Sequence, residues 1–365
     1  MRVLTVLGAR PQFIKAATVS RSFKSSGDIE EIIIHTGQHF DANMSQVFFD
    51  QLGIPHPHHN LKISGLSHGA MTGRMLEGIE SLIQQEKPNW ILVYGDTNST
   101  LAGALAAAKL QIPVAHVEAG LRSNNFSMPE EINRILTDRI SSLLLCPTQI
   151  AINNLHKEGF PFLSTGNRIQ SIANIGDVMF DAVNFYRERA FQQISLGAFG
   201  LKHQEYALCT IHRQENTDSP QRLDEILSAL RSISKQLPVT LPLHPRTRAK
   251  IEQQLNPKVL DGLNILGPIP YLEMQRLEMS AKLILTDSGG VQKEACFYGV
   301  PCITLRDETE WVETIESGWN CLVGAEKDKI LSAFDNISVP KSGVPTDYGD
   351  GKAAEKILKI LMAQL

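Results

Sequence analysis

The sequence predicts an α/β protein made of two doubly wound domains with parallel sheets. Short β-branched runs alternate with longer amphipathic stretches along the chain, which is the pattern of strand, loop and helix repeated. Each apolar run ends in a polar or glycine-containing loop. The chain has 365 residues, more than one hydrophobic core usually holds, so two domains are expected.

The first half contains four such units. The predicted strands are VLTVLGAR (3–10), EIIIHTG (31–37), WILVYGD (90–96) and IPVAHVEAG (112–120), and helical patterns follow the first three, from Pro11, at 42–52 and in TLAGALAAAKL (100–110). Ligands bind beyond the carboxyl ends of parallel strands, so the polar residues at those ends are the candidate functional residues.

A second series of strands begins near residue 170. Its members are IANIG (172–176), YALCTIHR (206–213), VTLPLHPR (239–246), LILTDSGG (283–290) and PCITLRD (301–307). The polar stretch STGNRIQS (164–171) is the natural boundary, which predicts one domain at 1–168 and a second at 169–349.

Composition and charge narrow the class of protein. The formal net charge of −4 argues against a general nucleic-acid binder or a polybasic membrane anchor. The five cysteines are scattered and form no C-x-x-C pair, as is typical of reduced thiols in the cytoplasm. The amino-terminal apolar run is too short for a signal peptide, and nothing approaches the roughly 20 apolar residues of a membrane span. These features predict a soluble cytoplasmic protein.

Several common fingerprints are missing from the sequence. There is no G-x-G-x-x-G after the first strand and no G-x-x-x-x-G-K-[ST] anywhere, so neither a nicotinamide nor a P-loop nucleotide is expected. No spacing of metal ligands stands out. The run HPHH (56–59) lies in a proline-rich stretch without nearby Cys or Asp, which favours a solvated loop over a metal site.

Two loops could bind phosphate at the start of a helix. In GARPQFIK (8–15), Arg10 and Lys15 flank a helix start preset by Pro11, although a surface Arg and Lys would fit the same pattern. In TDSGGVQKEA (286–295), paired glycines after a buried strand can present N–H groups to a diphosphate, and Glu294 follows about one turn later, where it could accept from a ribose diol. The alternative is an ordinary helix capped by Ser288.

Acidic residues mark the rim of the first domain. Asp96 and Glu118 end two consecutive strands, and PEEINR (129–134) adds Glu130 and Glu131. Helix-dipole compensation would explain one of the latter pair but not Asp96 or Glu118. Several carboxylates at one cleft suit proton transfer at carbon, because burial and mutual repulsion raise some of their pKa values. His212 and His244 end strands of the second domain, where they could contact phosphate or serve as core histidines.

Taken in order, these motifs resemble the non-hydrolysing UDP-N-acetylglucosamine 2-epimerase family over nearly the whole chain. The resemblance is carried by GARPQFIK (8–15), TGQH (36–39), YGDTNSTLAGALAA (94–107), HVEAGLRS (116–123), PEEINR (129–134), NIGDVMFDA (174–182), HRQEN (212–216), HPRT (244–247), TDSGGVQKEA (286–295) and YGDGKAAEKI (348–357). It implies a GT-B-like fold of two Rossmann-like domains with UDP in the interdomain cleft, and a carboxy-terminal helix at about 350–365 that packs back on the first domain. It also implies a homodimer that needs no cofactor.

The resemblance implies a reaction and a set of residues. UDP is eliminated from a UDP-2-acetamido sugar to give a glycal, and it adds back after a proton returns to the opposite face of C2. Asp96, Glu118 and Glu130 would move protons, with Glu131 as the alternative to Glu130. Stabilisation of the departing diphosphate is expected from Arg10, Lys15 and His212. Phosphate would be bound by Ser288, Gly289 and Gly290, and the ribose by Glu294. Uracil would contact the backbone near Pro270 and Tyr271.

Some stretches depart from the UDP-N-acetylglucosamine branch of that family. The chain has GARPQFIK where that branch has GTRPEAIK, and RDETEWVE (306–313) where it has R-D-x-T-E-R-P-E. These forms resemble a sister branch that acts on UDP-2,3-diacetamido-2,3-dideoxy-glucuronic acid, a precursor of O-antigen. FDANMSQ (40–46) also differs from the motif associated with allosteric UDP-N-acetylglucosamine, so regulation by that ligand is not expected.

Four alternatives share part of this pattern. The first is epimerisation of UDP-N-acetylglucosamine to UDP-N-acetylmannosamine. A GT-B glycosyltransferase would keep the UDP site but has no evident need for three carboxylates. A hydrolysing epimerase would release UDP and free sugar. A non-catalytic sugar-nucleotide sensor would have no reason to retain Asp96, Glu118 and Glu130.

Overall fold

The protein folds into two compact α/β units. The computed structural model describes residues 1–38, 49–50, 52–162, 170–341, 343 and 345–364. One unit comprises Met1–Ala182 with Thr346–Leu365, and the other comprises Val183–Pro345. Every described strand pairing is parallel, which confirms the predicted class. The loop FDANMSQ, most of the helix predicted at 42–52 and most of STGNRIQS lie outside the described residues.

The first unit is built around a seven-stranded sheet with the order β3-β2-β1-β4-β5-β6-β7. The strands are β1 (Arg2–Leu7), β2 (Glu30–His35), β3 (His59–Asn60), β4 (Trp90–Tyr94), β5 (Val114–Val117), β6 (Leu143–Cys146) and β7 (Ser171–Asn174). The strand order changes direction between β1 and β4. Such a switch point is where ligands bind in open parallel sheets.

Helices cover the faces of this sheet. They are α1 (Arg10–Ser26), α2 (His68–Glu86), α3 (Asn98–Lys109), α4 (Pro129–Ile140), α5 (Gln149–Lys157) and α14 (Ala353–Met362), while α6 (Val178–Gln193) begins in the first unit and continues in the second. Helix α14 packs against α1, and its first backbone N–H groups, of Ala353 and Ala354, donate to the Asp181 carboxylate. The carboxy-terminal helix therefore belongs to the first unit.

The division between the units differs from the boundary predicted after residue 168. Strand β7 comes from the run IANIG, which was predicted to belong to the second domain. It pairs in parallel with β6 and is therefore an edge strand of the first sheet. The units separate only within α6, after Ala182. Sheet membership depends on pairing with a distant strand, and the apolar pattern of a short run does not reveal it.

The second unit is built around a six-stranded sheet with the order β10-β9-β8-β11-β12-β13. Its strands are β8 (Ala207–Thr210), β9 (Val239–Pro242), β10 (Asn264–Leu266), β11 (Leu283–Thr286), β12 (Cys302–Thr304) and β13 (Asn320–Leu322). Its helices, after α6, are α7 (Gln214–Thr217), α8 (Pro220–Ile233), α9 (Pro245–Gln254), α10 (Tyr271–Glu278), α11 (Gly289–Tyr298), α12 (Val312–Glu316) and α13 (Lys327–Asn336), with 3₁₀ turns at Leu196–Phe199 and Pro257–Leu260. The switch point lies between β8 and β11. In the described part of the chain, no helix is both long and apolar enough to cross a membrane.

Small side chains let helix α3 lie close to the first sheet. Ala102, Ala106 and Ala107 of α3 are fully buried. A Cβ atom at Gly103 would approach Val6 and Val93 to 3.2 Å. At its start, the Thr97 hydroxyl accepts from the backbone N–H of Thr100 and caps the helix. The loop between β4 and α3, which carries Asp96, is therefore held against the sheet at both ends.

We expect Gly120→Ala to lower the free energy of unfolding by about 3 kcal/mol or more, because two costs add. Gly120 has φ 83°, and a Cβ atom there would lie 2.4 Å from the carbonyl oxygen of Ala151. The left-handed conformation costs about 1–2 kcal/mol for an alanine, and a backbone clash costs about 1–3 kcal/mol more. Urea unfolding followed by circular dichroism measures the difference.

The matched control is Gly27→Ala. Gly27 also has a positive φ, 74°, but an added Cβ atom would meet nothing within 4 Å. The control should lose only about 1 kcal/mol, the cost of the backbone conformation. Equal losses in the two variants would contradict the predicted clash at Gly120.

Candidate functional site

The candidate residues of the first unit lie at the carboxyl ends of three neighbouring strands. The loops after β4 and β5 carry Asp96 and Glu118, and Lys15 lies in helix α1, which follows β1. The strands β1, β4 and β5 are adjacent in the sheet. Close packing fixes the first loop, since a Cβ atom at Gly8 would lie 2.0 Å from the Ser99 hydroxyl. The polar cluster predicted for this rim is thus assembled around the switch point of the sheet.

Glu118 forms a buried ion pair with Lys15. The Lys15 Nζ atom lies 2.7 Å from Glu118 Oε1, and both side chains are less than a tenth exposed. A Cβ atom at Gly95 would lie 3.3 Å from each of these two atoms, so glycine leaves room for the pair. Glu118 itself has φ 74°, a strained conformation for a residue with a side chain. The contact of Lys15 with a diphosphate, expected from the resemblance, stays a prediction.

Asp96 is held by helix α4. The Arg134 guanidinium donates to the Asp96 carboxylate through Nη2 and to Glu131 through Nη1, the latter over 2.8 Å. The Asn133 side chain donates to the backbone carbonyl of Asp96 over 2.9 Å. The Asp96 side chain remains about 29% exposed, so it is both anchored and accessible.

The two adjacent glutamates of α4 have different environments. Glu131 is fully buried, and its carboxylate accepts from Arg134, from the N–H and hydroxyl of Ser123 and from the N–H of Asn124. Glu130 is half-buried and forms no hydrogen bond or ion pair with any residue that the structure describes. Glu131 therefore holds the loop before α4, whereas Glu130 makes no such contacts with the described residues.

A buried charge centre lies directly beneath this rim. His116 and Asp138 are fully buried, and His116 Nδ1 lies 2.7 Å from Asp138 Oδ1. The other ring nitrogen, Nε2, lies 2.7 Å from the carbonyl oxygen of Gly95. The second oxygen of Asp138 accepts from Gly120 N–H and from Arg122 Nη1. Burial acts to raise the pKa of Asp138, but the hydrogen bonds and charges of His116 and Arg122 outweigh it, so the pKa is lowered.

Sequence analysis missed His116 and Asp138 as parts of the site. The sequence does place a histidine in the middle of an apolar strand. Because a buried polar side chain needs a hydrogen-bond partner, this position could have predicted a buried polar pair. That partner, Asp138, is 22 residues away on α4. Arg122 completes the network through two hydrogen bonds to Glu158, at 2.6 and 2.9 Å.

In the second unit, helix α11 begins at the end of β11. The Ser288 hydroxyl accepts from Val291 N–H, so the capped helix weighed from the sequence is present. A Cβ atom at Gly289 would lie 2.6 Å from Glu310 Oε1 and 3.1 Å from Trp311 Nε1, which explains that glycine by packing. At Gly290 the nearest atom would be the Ser288 hydroxyl at 3.8 Å, so this side of the first turn of α11 is open.

His212 is oriented by a buried aspartate at the end of the neighbouring strand. His212 Nδ1 lies 3.0 Å from Asp287 Oδ1, and the N–H groups of His212 and Arg213 donate to the same carboxylate. Burial acts to raise the pKa of Asp287, but the charge and hydrogen bond of His212 and the Arg213 N–H outweigh it and lower the pKa. The His212 side chain is about half exposed, and Nε2 bonds to none of the described residues.

Tyr271 and Glu294 lie near each other in the second unit. Burial, and after it the charge of Glu294, raises the pKa of Tyr271 well above its usual value. The Tyr271 hydroxyl accepts from the Gln275 amide over 2.7 Å, and Pro270 caps the helix that Tyr271 begins. Both Tyr271 and Glu294 are buried. The residues expected to bind the nucleoside thus share one region.

The other expected residues have simpler surroundings. Arg10 begins α1 and is half-buried. His244 caps α9, its Nδ1 accepting from Arg246 N–H. In the HPHH run, His58 accepts from Ile33 N–H and His59 contacts Glu86 over 2.9 Å. Among the described residues, no group of three His, Cys, Asp or Glu side chains could hold a metal ion.

The chain is similar to known epimerases over its whole length. Residues 21–362 match the family model described as UDP-N-acetylglucosamine 2-epimerase. The chain is 53% identical over 363 residues to the UDP-2,3-diacetamido-2,3-dideoxy-D-glucuronate 2-epimerase of Pseudomonas aeruginosa, covering 99% of each. It is 43% identical over 369 residues to the UDP-N-acetylglucosamine 2-epimerase of Methanocaldococcus jannaschii, again covering 99% of each.

Solved structures show the same relationship. The crystal structure of the Methanocaldococcus jannaschii enzyme in complex with UDP-GlcNAc and UDP superimposes with a TM-score of 0.90 at 42% identity, over 100% of both chains. A UDP-bound transferase from Siraitia grosvenorii, at 10% identity and a TM-score of 0.61, is similar in fold alone. These similarities confirm the predicted GT-B-like fold class.

We expect Glu131→Gln to lower the free energy of unfolding by about 2–3 kcal/mol, because the amide cannot accept all the hydrogen bonds that the carboxylate accepts. Glu130→Gln is the adjacent control and should change it by less than about 0.5 kcal/mol, since no contact is lost. Urea unfolding of both variants measures the two values. A larger loss in Glu130→Gln than in Glu131→Gln would reverse the assignment of the two glutamates.

Proposed function

Because this chain belongs to the UDP-N-acetylglucosamine 2-epimerase family and is a UDP-sugar 2-epimerase, we propose that it inverts C2 of UDP-2,3-diacetamido-2,3-dideoxy-glucuronic acid. The product is the mannuronic acid epimer, a precursor for O-antigen or another surface polysaccharide. The observation that carries the choice of substrate is the 53% identity to an enzyme named for that sugar. The forms GARPQFIK and RDETEWVE support the same branch.

We propose that the reaction proceeds by elimination of UDP to a glycal and re-addition. The hydrogen at C2 has no neighbouring carbonyl, so departure of UDP supplies most of the driving force. Groups that stabilise the leaving diphosphate therefore matter as much as the base. A proton leaves one face of C2 and another arrives on the opposite face, which requires more than one proton carrier.

The surroundings of the three carboxylates support such a division of labour. Glu118 lies beside the Lys15 ammonium and Asp96 beside the Arg134 guanidinium, whereas Glu130 forms no ion pair with a described residue. Carboxylates whose surroundings differ in this way are suited to different roles in proton transfer.

The second unit is proposed to bind UDP. His212, fixed through Nδ1 by Asp287, presents Nε2 to the diphosphate as it departs. The open side of the first turn of α11, at Gly290, would bind phosphate through backbone N–H groups, with Ser288 and Gly289 beside it. Glu294 would accept from the ribose, and the backbone at Pro270 and Tyr271 would meet uracil. Arg10 of the first unit is proposed to add positive charge at the diphosphate.

One alternative substrate is favoured by a specific observation. The relative from Methanocaldococcus jannaschii, at 43% identity, is named for UDP-N-acetylglucosamine. Conversion of UDP-N-acetylglucosamine to UDP-N-acetylmannosamine is therefore the second candidate reaction. A glycosyltransferase is supported only by similarity of fold.

We also propose that the enzyme is a cytoplasmic homodimer. All five cysteines are free thiols, which suits a reducing compartment. Helix α4 and the loop before it expose Phe126, Ile132 and Leu136, apolar side chains that a second copy could cover.

The test is C2 exchange in deuterated water. We expect the wild-type enzyme to incorporate deuterium at C2 of UDP-2,3-diacetamido-2,3-dideoxy-glucuronic acid while UDP stays attached at equilibrium, as read by NMR and mass spectrometry. The same assay with UDP-N-acetylglucosamine should give a lower kcat/KM. A higher value would select the alternative substrate.

Two other outcomes of this assay would overturn parts of the proposal. Net accumulation of UDP and free sugar would indicate a hydrolysing enzyme. Absence of deuterium at C2 with both sugars would contradict epimerisation by proton transfer at that carbon.

We expect Glu118→Gln and Glu130→Gln to slow C2 exchange by about 10²-fold or more, the usual effect of removing a general acid or base. UDP affinity, measured by calorimetry, should change little, because neither residue is proposed to contact the nucleotide. The control is Glu77→Gln on the exposed face of α2, which should exchange at the wild-type rate. Wild-type exchange in Glu118→Gln or in Glu130→Gln would remove that residue from the mechanism.

A further inference from the structure

Three structural elements that carry the proposed proton carriers meet at one buried pair of side chains. His116 lies on β5, two residues before Glu118. Its ring contacts the carbonyl of Gly95, the residue before Asp96, and its partner Asp138 lies on α4, eight residues after Glu130. The His116–Asp138 pair is thus the point that the three elements share.

Both ring nitrogens of His116 face oxygen atoms. Nδ1 lies 2.7 Å from Asp138 Oδ1, and Nε2 lies 2.7 Å from the Gly95 carbonyl oxygen. The second oxygen of Asp138 accepts from Arg122, which also donates to Glu158. The ring therefore links the Gly95 backbone to a buried network of charged side chains.

The pair restrains the backbone on either side of the site. Gly95 has φ 63°, and its N–H donates to the Val117 carbonyl over 3.0 Å while its own carbonyl accepts from His116. On the other side, Asp138 accepts from the N–H of Gly120, two residues after Glu118. Because peptide units are planar, fixing the Gly95 carbonyl also fixes the direction in which the chain continues to Asp96.

We propose that His116 is a positioning residue for epimerisation. Through its bonds to Gly95 and Asp138, it sets the distances from Asp96 to Glu118 and to Glu130. It touches no reacting atom and acts only through the loops it joins. This inference rests on the proposed function for its consequence in catalysis. A misplacement of about 1 Å can cost about 10²-fold in rate, so loss of the Gly95 bond should be visible in kcat.

Two substitutions of His116 each keep one of its two hydrogen bonds and remove the other. In His116→Gln the side-chain amide reaches the place of Nε2 and can still donate to Gly95. In His116→Asn the amide lies at the place of Nδ1 and can donate to Asp138 but not to Gly95. Both variants replace the ring with a neutral amide, so they differ mainly in which of the two bonds they keep.

We expect His116→Asn to lower kcat for C2 exchange by about 10²-fold, with KM and UDP affinity within about two-fold of wild type. His116→Gln should keep kcat within about ten-fold of wild type. Rates are normalised to folded enzyme, because both variants lose stability. Equal normalised kcat values in the two variants, whether low or unchanged, would overturn the positioning role.

Crystal structures of the two variants provide a readout that does not depend on activity. The Gly95–Asp96 peptide and the Asp96 carboxylate should be displaced from Glu118 in His116→Asn and retained in His116→Gln. An undisplaced Asp96 in His116→Asn would contradict the inference.

The proposed function and the positioning role of His116 are tested by different measurements. C2 exchange by the wild-type enzyme tests that function alone. The ratio between the His116→Asn and His116→Gln variants tests the positioning role in an enzyme that exchanges. Without wild-type exchange, displacement of Asp96 in the crystals still decides whether His116 sets its position.

Discussion

The side chain of Gln12 joins the two central strands of the first sheet at the end where the candidate site lies. Its oxygen accepts from Gly8 N–H and Ala9 N–H, and its amide donates to the Tyr94 carbonyl over 2.8 Å. It is almost fully buried. The Gln12 side chain therefore fixes both the turn before α1 and the end of β4, because its amide group can accept and donate hydrogen bonds at the same time. Lys15 and Asp96 are placed by the elements that this amide connects.

Charge in the first unit is arranged in pairs rather than left to solvent. Largely buried cations lie against carboxylates in three places, which are Lys15 with Glu118, Arg134 with Asp96 and Glu131, and Arg122 with Asp138. Removing one member of such a pair leaves an uncompensated charge, which costs more than the pair contributes. The same ion pairs that fix the proposed proton carriers in place therefore make the first unit sensitive to substitution. Glu130, which is unpaired among the described residues, stands apart from this arrangement.

The fold could be predicted from the sequence because its signal is local. Strand and helix patterns depend on neighbouring residues, and even the polar strand ends were recognisable as a rim. Glu130 and Glu131 were not separable, because both follow Pro129 and only the direction of each side chain from α4 decides which is buried. His116 was missed for a related reason, since its partners Asp138 and Gly95 are distant in sequence. The local sequence pattern does not show contacts between residues that are distant in sequence and meet only in the folded protein.

The backbone of Glu118 has a consequence for the evolution of the enzyme. A residue with a side chain at φ 74°, whose carboxylate is withdrawn from water against Lys15, makes the native state less stable than it could be. Glycine would relieve the backbone strain at this position and would also remove the carboxylate. Selection for thermostability alone would therefore favour loss of Glu118, and the proposed role of its carboxylate in proton transfer accounts for keeping it at the expense of stability.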